Sequence, residues 1–139
     1  AKKNVIANVH SGWKGTVQKI AVKTIDKMQE QYNCNPKDII CCISPSIRKC
    51  HFEVDQDVKD AFLEAFPNET DSIEQIQEKW HIDTVKINIE MLKEKGLKEE
   101  NIIDSKICTV CNCSQIHSYR GSKHHNGLEM GVLELKDRI

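Results

Sequence analysis

An imidazole, an indole and an ammonium group stand close together in the run HSGWK at positions 10–14. The run ends a segment that predicts a buried strand and leads into a segment that predicts a helix. Ligands of α/β proteins bind at the carboxyl ends of strands, and a helix start favours anions such as phosphate. His10 is therefore a candidate site residue, and Lys14 is a candidate phosphate contact. The plainer alternative is a histidine that only ends a strand, beside Trp13 filling the core.

A second cluster, CTVCNC at positions 108–113, offers three thiols within six residues. Thiolate and imidazole groups are the ligands that a tetrahedral zinc ion prefers, so Cys108, Cys111 and Cys113 are candidate zinc ligands. The imidazoles that follow are His117, His124 and His125. A zinc finger would also need a second well-spaced pair of ligands, which is missing here. A redox CxxC motif would stand at a helix N-terminus, whereas extended chain is predicted around this motif. A structural or incidental role for these thiols stays open.

The run KCHFEV at positions 49–54 places a thiol beside an imidazole. Cys50 and His51 suggest a nucleophile and its base, but adjacent residues rarely meet in the geometry that such a pair needs. Alternation predicts instead that Phe52 and Val54 point inward while Glu53 points to a cleft.

Arg120, in the run HSYRG at positions 117–121, is the last candidate. A guanidinium group holds a phosphate or a carboxylate through two parallel hydrogen bonds. A single arginine in a turn is also commonly just solvated, so these residues by themselves leave both roles open.

The elements that must position these residues follow from the apolar periodicity of the chain. Strands are predicted at 4–10, 38–44, 101–109 and 130–136, with a short one at 114–119. Helices are predicted at 16–33, 56–66 and 83–95, with Thr16 and Asp55 as N-caps and Gly96 as a C′ residue. The segment 38–44 is apolar enough to predict a strand that is buried on both faces. Alternating strands and helices predict an α+β (α/β) fold with mixed sheets, and residues 1–139 are expected to form a single domain.

Composition excludes several classes of partner. The chain of 139 residues has a net charge of −1 and 29% charged residues, so it lacks the footprint of a protein that binds nucleic acid or an anionic membrane. No apolar run has the length that spans a bilayer. Seven cysteines, an odd number, include the neighbours Cys41 and Cys42, which point to opposite faces of a strand and are poorly placed to pair. With no signal-peptide pattern, they predict reduced thiols in a cytoplasmic protein.

Taken in order, the motifs resemble one family over essentially the whole chain. They are HSGWKGT at 10–16, SPSIRKCHFEV at 44–54, HIDTVKINIEMLKEKG at 81–96, CTVC at 108–111 and IHSYR at 116–120. These runs are similar to the motifs of the purine nucleoside phosphorylase family formerly called multicopper polyphenol oxidoreductase, or laccase domain.

The resemblance implies mixed sheets sandwiched between helices in α-β-β-α layers, and a zinc-dependent enzyme that splits purine nucleosides with phosphate. Adenosine deamination and phosphorolysis of methylthioadenosine are further family activities, and copper-dependent oxidation of phenols is the older assignment. The family metal is held by two histidines and a cysteine, and His10 matches the last histidine. Its other ligands precede this motif, so we expect the chain to be the C-terminal part of a longer enzyme. Lys14 and Arg120 would contact phosphate, and Trp13 would pack the turn.

Three positions depart from the family pattern. Ser44 stands where the family usually has glycine, Gly121 replaces a second arginine, and Leu128 stands where a Thr/Ser-Gly-Arg motif ends in arginine. If that arginine contacts substrate, its absence alters the efficiency or the preferred nucleoside.

Two other function classes compete with this enzyme. One is a small zinc-stabilised binding module built on Cys108, Cys111, Cys113 and His117. The other is a copper-dependent phenol oxidase, which ranks lower because one site with nitrogen and sulfur ligands suits zinc at least as well, and multicopper chemistry needs more histidines. The sequence gives no indication of oligomeric state.

Overall fold

Residues 2–122 and 127–135 are described by the computed structural model of the chain, and they form a mixed α+β fold, as predicted. The described residues fall into two compact units, each with its own helices and its own sheet. The first unit contains residues 2–43, 88–104 and 130–135, and the second contains residues 44–87, 105–122 and 127–129. Within these described residues no helix is long and apolar enough to cross a membrane.

The predicted helix at 16–33 is present as two helices. They are α1, Trp13–Val17, and α2, Ile20–Tyr32. Lys19 separates them because it adopts a left-handed backbone conformation with φ of 58°. The N-cap of α1 is Gly12, and Thr16 lies fully buried inside that helix. The prediction that Thr16 caps the helix is therefore wrong, because the chain turns into helical geometry four residues earlier.

The sheet of the first unit is a parallel pair of short strands, β1 at Cys41–Ile43 and β5 at Ile102–Asp104. The predicted strands 38–44 and 101–109 are thus confirmed in a shorter form. Burial of β1 on both faces is wrong, because Cys42 points to solvent. The hydrophobic core covers only the face of the sheet that carries Cys41 and Ile102. The buried centre of this core consists of Ile25, Leu92 and Leu97, and the partly buried residues Ala21, Met28, Ile39, Cys41 and Ile102 pack against it.

Helix α4, Thr84–Glu94, confirms the helix predicted at 83–95. It ends as the sequence predicts, because Gly96 adopts φ of +99° and its backbone N–H donates to the carbonyl of Lys93 at 2.8 Å. The N–H of Leu97 donates back to the carbonyl of Leu92 at 3.1 Å, so the last carbonyls of the helix are satisfied.

The second unit contains an antiparallel sheet in the order β2-β4-β3 and one complete helix. The elements are β2 at Glu53–Val54, α3 at Gln56–Ala65, β3 at Ile73–Ile76 and β4 at Lys79–Ile82. Helix α3 confirms the prediction at 56–66, but Asp55 makes no capping bond and accepts a hydrogen bond from Lys79 Nζ at 2.6 Å instead. Phe62 and Ile82 are fully buried and anchor the core of this unit.

The remaining predicted strands are wrong within the described residues. Residues 4–10 and 130–135 form no strand and are almost entirely exposed, and Lys136 lies outside the described residues. The segment 114–119 is turn and coil, because backbone bonds of helical spacing form there; the N–H of Ile116 donates to the carbonyl of Asn112 at 2.9 Å. Short 3-10 turns complete the connections at Pro36–Asp38, Thr70–Ser72 and Glu99–Asn101.

Candidate functional site

Four side chains of the second unit converge on one point: Cys50, His51, Cys108 and Cys111. Their sulfur and nitrogen atoms all lie within 4.8 Å of one another. The imidazole Nδ1 of His51 lies 3.2 Å from Cys50 Sγ, 3.7 Å from Cys108 Sγ and 3.5 Å from Cys111 Sγ. Cys108 is buried, whereas Cys50 and Cys111 are exposed. We call these four residues the cysteine–histidine cluster.

Backbone pairing brings the two halves of the cluster together. Ser46 and Cys108 form a parallel bridge, in which Ser46 N–H donates to the carbonyl of Ile107 at 3.2 Å and Thr109 N–H donates to the carbonyl of Ser46 at 3.1 Å. Beyond Cys108 the chain turns, and Asn112 N–H donates to the carbonyl of Cys108 at 3.1 Å. The turn places Cys111 beside Cys108, and the bridge places both beside the segment that carries Cys50 and His51.

Polar contacts make the thiols of the cluster chemically unequal. Burial raises the pKa of Cys108, but hydrogen bonds from the backbone of Cys111, Arg48 and Val110, and from the side chain of Cys50, outweigh it and lower the pKa to about 6. Desolvation, followed by hydrogen bonds to Cys108 and Cys111, raises the pKa of Cys50 to about 12. The lowered pKa of Cys108 and the raised pKa of Cys50 mean that Cys108 forms a thiolate more readily than Cys50 does.

The cluster combines residues from two separate sequence motifs. Cys50 and His51 were expected to be poorly placed as a nucleophile and its base; Cys50 Sγ and His51 Nδ1 lie 3.2 Å apart, which is within hydrogen-bond reach. Cys108 and Cys111 are brought together as predicted. Cys113 and His117 belong to no group of three or more candidate ligands among the residues that the structure describes. The other two predicted imidazoles, His124 and His125, lie outside the described residues.

His10 is exposed and its ring lies directly over the backbone of Gly12. A Cβ atom at Gly12 would stand 3.0 Å from Nε2 of His10, so the glycine makes room for the imidazole. In the ranges 2–122 and 127–135, His10 is part of no group of three or more ligands. The Lys14 ammonium lies 5.4 Å from the centre of the Trp13 ring. Since α1 has only five residues, its start offers no developed helix dipole for phosphate.

A buried polar network, which the sequence did not predict, holds the turn after His10. The hydroxyl of Thr16 donates to the carbonyl of Gly12 at 3.0 Å and accepts from the Asn88 amide at 3.1 Å. The hydroxyl of Ser11 lies 3.1 Å from the Thr16 hydroxyl and donates to Asn88 Oδ1 at 3.1 Å. The sequence did contain a polar residue, Asn88, on an otherwise amphipathic helix. Its partner Thr16 lies 72 residues away, so no local pattern links the two.

Arg120 holds the backbone beside the cluster. Its Nη1 donates to the carbonyl of His51 at 3.1 Å and to the carbonyl of Glu53 at 2.8 Å, and its guanidinium lies 5.4 Å from the centre of the Phe52 ring. Phe52 and Val54 are buried and Glu53 is exposed, which confirms the predicted alternation. Arg120 also lines a shallow cavity of about 130 Å³; the other lining residues are Glu53, Val54, Asp55 and Lys79.

Fold and site together define a mixed α+β protein that carries a group of soft metal ligands and a cavity lined by two acidic and two basic side chains. The chain belongs to the multi-copper polyphenol oxidoreductase laccase family, whose profile matches residues 1–136. It is 31% identical over 137 residues to purine nucleoside phosphorylase YlmD of Bacillus subtilis, covering 97% of this chain. It is 32% identical over 118 residues to adenosine deaminase RL5 of an unknown prokaryotic organism, covering 84% of this chain.

A solved structure agrees with this assignment. The crystal structure of Bacillus licheniformis hypothetical protein YfiH superposes with a TM-score of 0.76 and 30% identity over 83% of this chain. The chain spans about half the length of the proteins it matches: 49% of the Bacillus subtilis phosphorylase, 45% of the deaminase and 44% of the Bacillus licheniformis structure. The family resemblance read from the motifs is therefore confirmed.

Proposed function

We propose that the protein containing this chain is a zinc-dependent purine nucleoside phosphorylase, which splits adenosine, inosine, guanosine or methylthioadenosine with phosphate. The observation that carries the proposal is membership of the family over residues 1–136, together with similarity to a relative named purine nucleoside phosphorylase. Adenosine deamination is a second activity, favoured by the 32% identity to adenosine deaminase RL5. Copper-dependent phenol oxidation ranks below both.

Three residues of this chain carry the proposed site. His10 supplies one ligand of the family metal, and the remaining ligands come from residues outside this chain. Its exposed ring, seated over Gly12, supports this role. Among the described residues, His10 belongs to no group of three or more candidate ligands.

Lys14 and Arg120 are the proposed phosphate contacts. The Lys14 side chain is exposed beside the Trp13 ring, where its charge is accessible to an anion. Both hydrogen bonds of Arg120 to His51 and Glu53 use the same nitrogen, Nη1. Arg120 also lines the cavity, where its guanidinium charge is proposed to meet the anion.

The test is release of purine base by the complete polypeptide that carries this chain, followed by chromatography. Each of the four nucleosides is incubated with and without inorganic phosphate, and a sample treated with chelator runs in parallel. We expect base release that requires phosphate and is lost in His10→Ala. Deamination gives a different product, inosine from adenosine without free base. Failure of every nucleoside to yield base with phosphate would contradict the proposal.

We further propose that the protein is cytoplasmic, because all seven cysteines are free thiols in the structure. Nucleosides and phosphate are its proposed small-molecule partners. The binding-module alternative requires different ligands from those predicted, because Cys113 is not part of the cysteine–histidine cluster.

A further inference from the structure

We propose that Cys50, His51, Cys108 and Cys111 bind one zinc ion in a closed four-ligand site that fixes the segment 46–52 to the turn 108–112. The inference does not depend on the proposed enzymatic activity, because none of the residues assigned to substrate or to the family metal is a ligand here. It rests on distances, backbone contacts and the chemistry of the donor atoms.

Three distances within the cluster are close to those of ligands around one tetrahedral ion; the whole group lies within 4.8 Å, and His51 Nδ1 lies closer to Cys50 Sγ, at 3.2 Å. With Zn–S bonds of about 2.3 Å and a Zn–N bond of about 2.0–2.1 Å, tetrahedral geometry separates two sulfurs by about 3.8 Å and a sulfur from a nitrogen by about 3.5 Å. The sulfurs of Cys50 and Cys111 lie 3.8 Å apart. The imidazole nitrogen of His51 lies 3.5 Å from Cys111 Sγ and 3.7 Å from Cys108 Sγ. The ligands therefore need little movement to enclose zinc.

Backbone hydrogen bonds hold the two ligand-bearing segments together. Ser46 N–H donates to the carbonyl of Ile107 at 3.2 Å and Thr109 N–H donates to the carbonyl of Ser46 at 3.1 Å, while Asn112 N–H donates to the carbonyl of Cys108 at 3.1 Å and closes the turn. Arg48 Nη2 also donates to the hydroxyl of Ser105 at 3.1 Å, which ties the two ligand-bearing segments a second time. The cluster is thus built by contacts that form independently of any ion.

The donor set decides which metal fits. Three thiolates and one imidazole suit zinc, for which Cys₃His is a common structural set, whereas magnesium and calcium prefer oxygen. Monovalent copper also accepts thiolates, and it is the competing ion in the test. Because four protein atoms surround the ion, no position is left for water or substrate, which is the pattern of a structural zinc site.

The first experiment measures zinc bound by the complete polypeptide in the His10→Ala background, which removes the proposed family metal. We expect about one zinc ion per chain at this site. Zinc affinity should fall more than about 100-fold in Cys111→Ser, because even the loss of a residue that only hydrogen-bonds to a ligand lowers metal affinity by about 10- to 100-fold. Cys113→Ser is the matched control, since it removes an exposed thiol two residues away and should leave zinc affinity unchanged. Equal affinity in both variants would overturn the proposal.

A second measurement needs no substitution and so remains decisive if a variant does not fold. Cysteine alkylation is mapped by mass spectrometry with zinc, with monovalent copper and without metal. Four thiols are exposed in the structure: Cys42, Cys50, Cys111 and Cys113. We expect zinc to protect Cys50 and Cys111 while Cys42 and Cys113 stay reactive. Protection by copper alone, or equal reactivity of all four thiols with zinc, would refute the zinc site.

The two experiments separate this inference from the proposed function. Loss of phosphorolysis in His10→Ala with zinc still bound at the cluster would support both. A cluster that binds no zinc in a protein that still splits nucleosides would refute the zinc site alone.

Discussion

The sulfur atoms of Cys50 and Cys111 lie 3.8 Å apart, although 61 residues separate them in the sequence. That separation is far longer than a disulfide bond, which measures about 2.0 Å, and it matches two thiolates on one zinc ion. The two segments are already paired through Ser46 and Cys108, so an ion at this point would lock an existing contact.

Zinc should therefore raise the unfolding temperature of the protein. An ion that binds only the folded state stabilises it by about 2.7 kcal/mol when its free concentration is about 100 times the dissociation constant. Differential scanning calorimetry with and without zinc measures this shift, and Cys113→Ser should show it in full. Cys111→Ser should show little of it, and a shift equal to that of the unsubstituted protein would contradict the prediction.

Replacing Arg120 by lysine keeps the charge but removes Nη1, which donates to the carbonyls of both His51 and Glu53. Since Arg120 is exposed, we expect a loss of about 1 kcal/mol in the free energy of unfolding. Zinc affinity should fall by about 10-fold, because the arginine positions the backbone of a ligand. Urea unfolding and zinc competition measure the two effects. Tyr119→Phe is the control, because the Tyr119 side chain is 87% exposed. Unchanged zinc affinity in Arg120→Lys would show that the arginine does not position His51.

The fold could be predicted where its signals are local. Helix α4 was found because its apolar periodicity and its C′ glycine, Gly96, lie within a few residues of each other. The hairpin of β3 and β4 was missed because β3 is short and mostly exposed, and because the turn uses Gln77 rather than glycine for its φ of 57°. The break at Lys19 was missed for the same reason, since a lysine carries no sequence signal for a left-handed backbone.

The candidate site shows the same division between local and distant signals. The spacing of Cys108 and Cys111 is a local pattern, and both were predicted as metal ligands. Cys50 and His51 join them only through the bridge at Ser46, which no local pattern indicates. Cys113, which the sequence grouped with Cys108 and Cys111, lies outside the candidate group in the structure.

Thr16→Val tests the buried network beside His10. Valine has nearly the volume of threonine, but it removes the acceptor of the Asn88 amide and leaves that group without this partner. We expect a loss of about 1–3 kcal/mol in the free energy of unfolding, measured in urea. Thr24→Val is the matched control, because its hydroxyl donates only to the carbonyl of Ile20 one turn earlier, at 2.8 Å. Equal losses in the two variants would mean that the network has no special contribution.

Gly12→Ala tests whether the position of the His10 ring matters for activity. The added Cβ would stand 3.0 Å from Nε2, so the exposed ring must rotate away. Stability should change by less than about 1 kcal/mol, since a surface side chain relaxes freely. Phosphorolysis should fall by about 10- to 100-fold, as expected when a site residue is displaced. Gly131→Ala is the control, because its Cβ would make only an ordinary contact of 3.5 Å with Asn8. Full activity in Gly12→Ala would mean that His10 is not a residue of the site.

Stability of the second unit should decrease in acid, because three of its carboxylates are held by lysines. A hydrogen bond from Lys79 lowers the pKa of Asp55, one from Lys86 lowers the pKa of Asp71, and one from Lys49 lowers the pKa of Glu74. A carboxyl whose pKa is lower in the folded than in the unfolded state stabilises the fold above its unfolded value, which is about 4, and the contribution is lost as the pH falls through the folded value.

The urea midpoint should therefore be steady near neutral pH and should decrease from about pH 4 downward. Asp71→Asn removes one of these carboxylates, so its midpoint should depend less on pH than that of the unsubstituted protein. High salt should weaken the same dependence, because all three carboxyls and their lysine partners meet solvent. A midpoint that falls as steeply in Asp71→Asn as in the unsubstituted protein would mean that the pair with Lys86 does not contribute to stability.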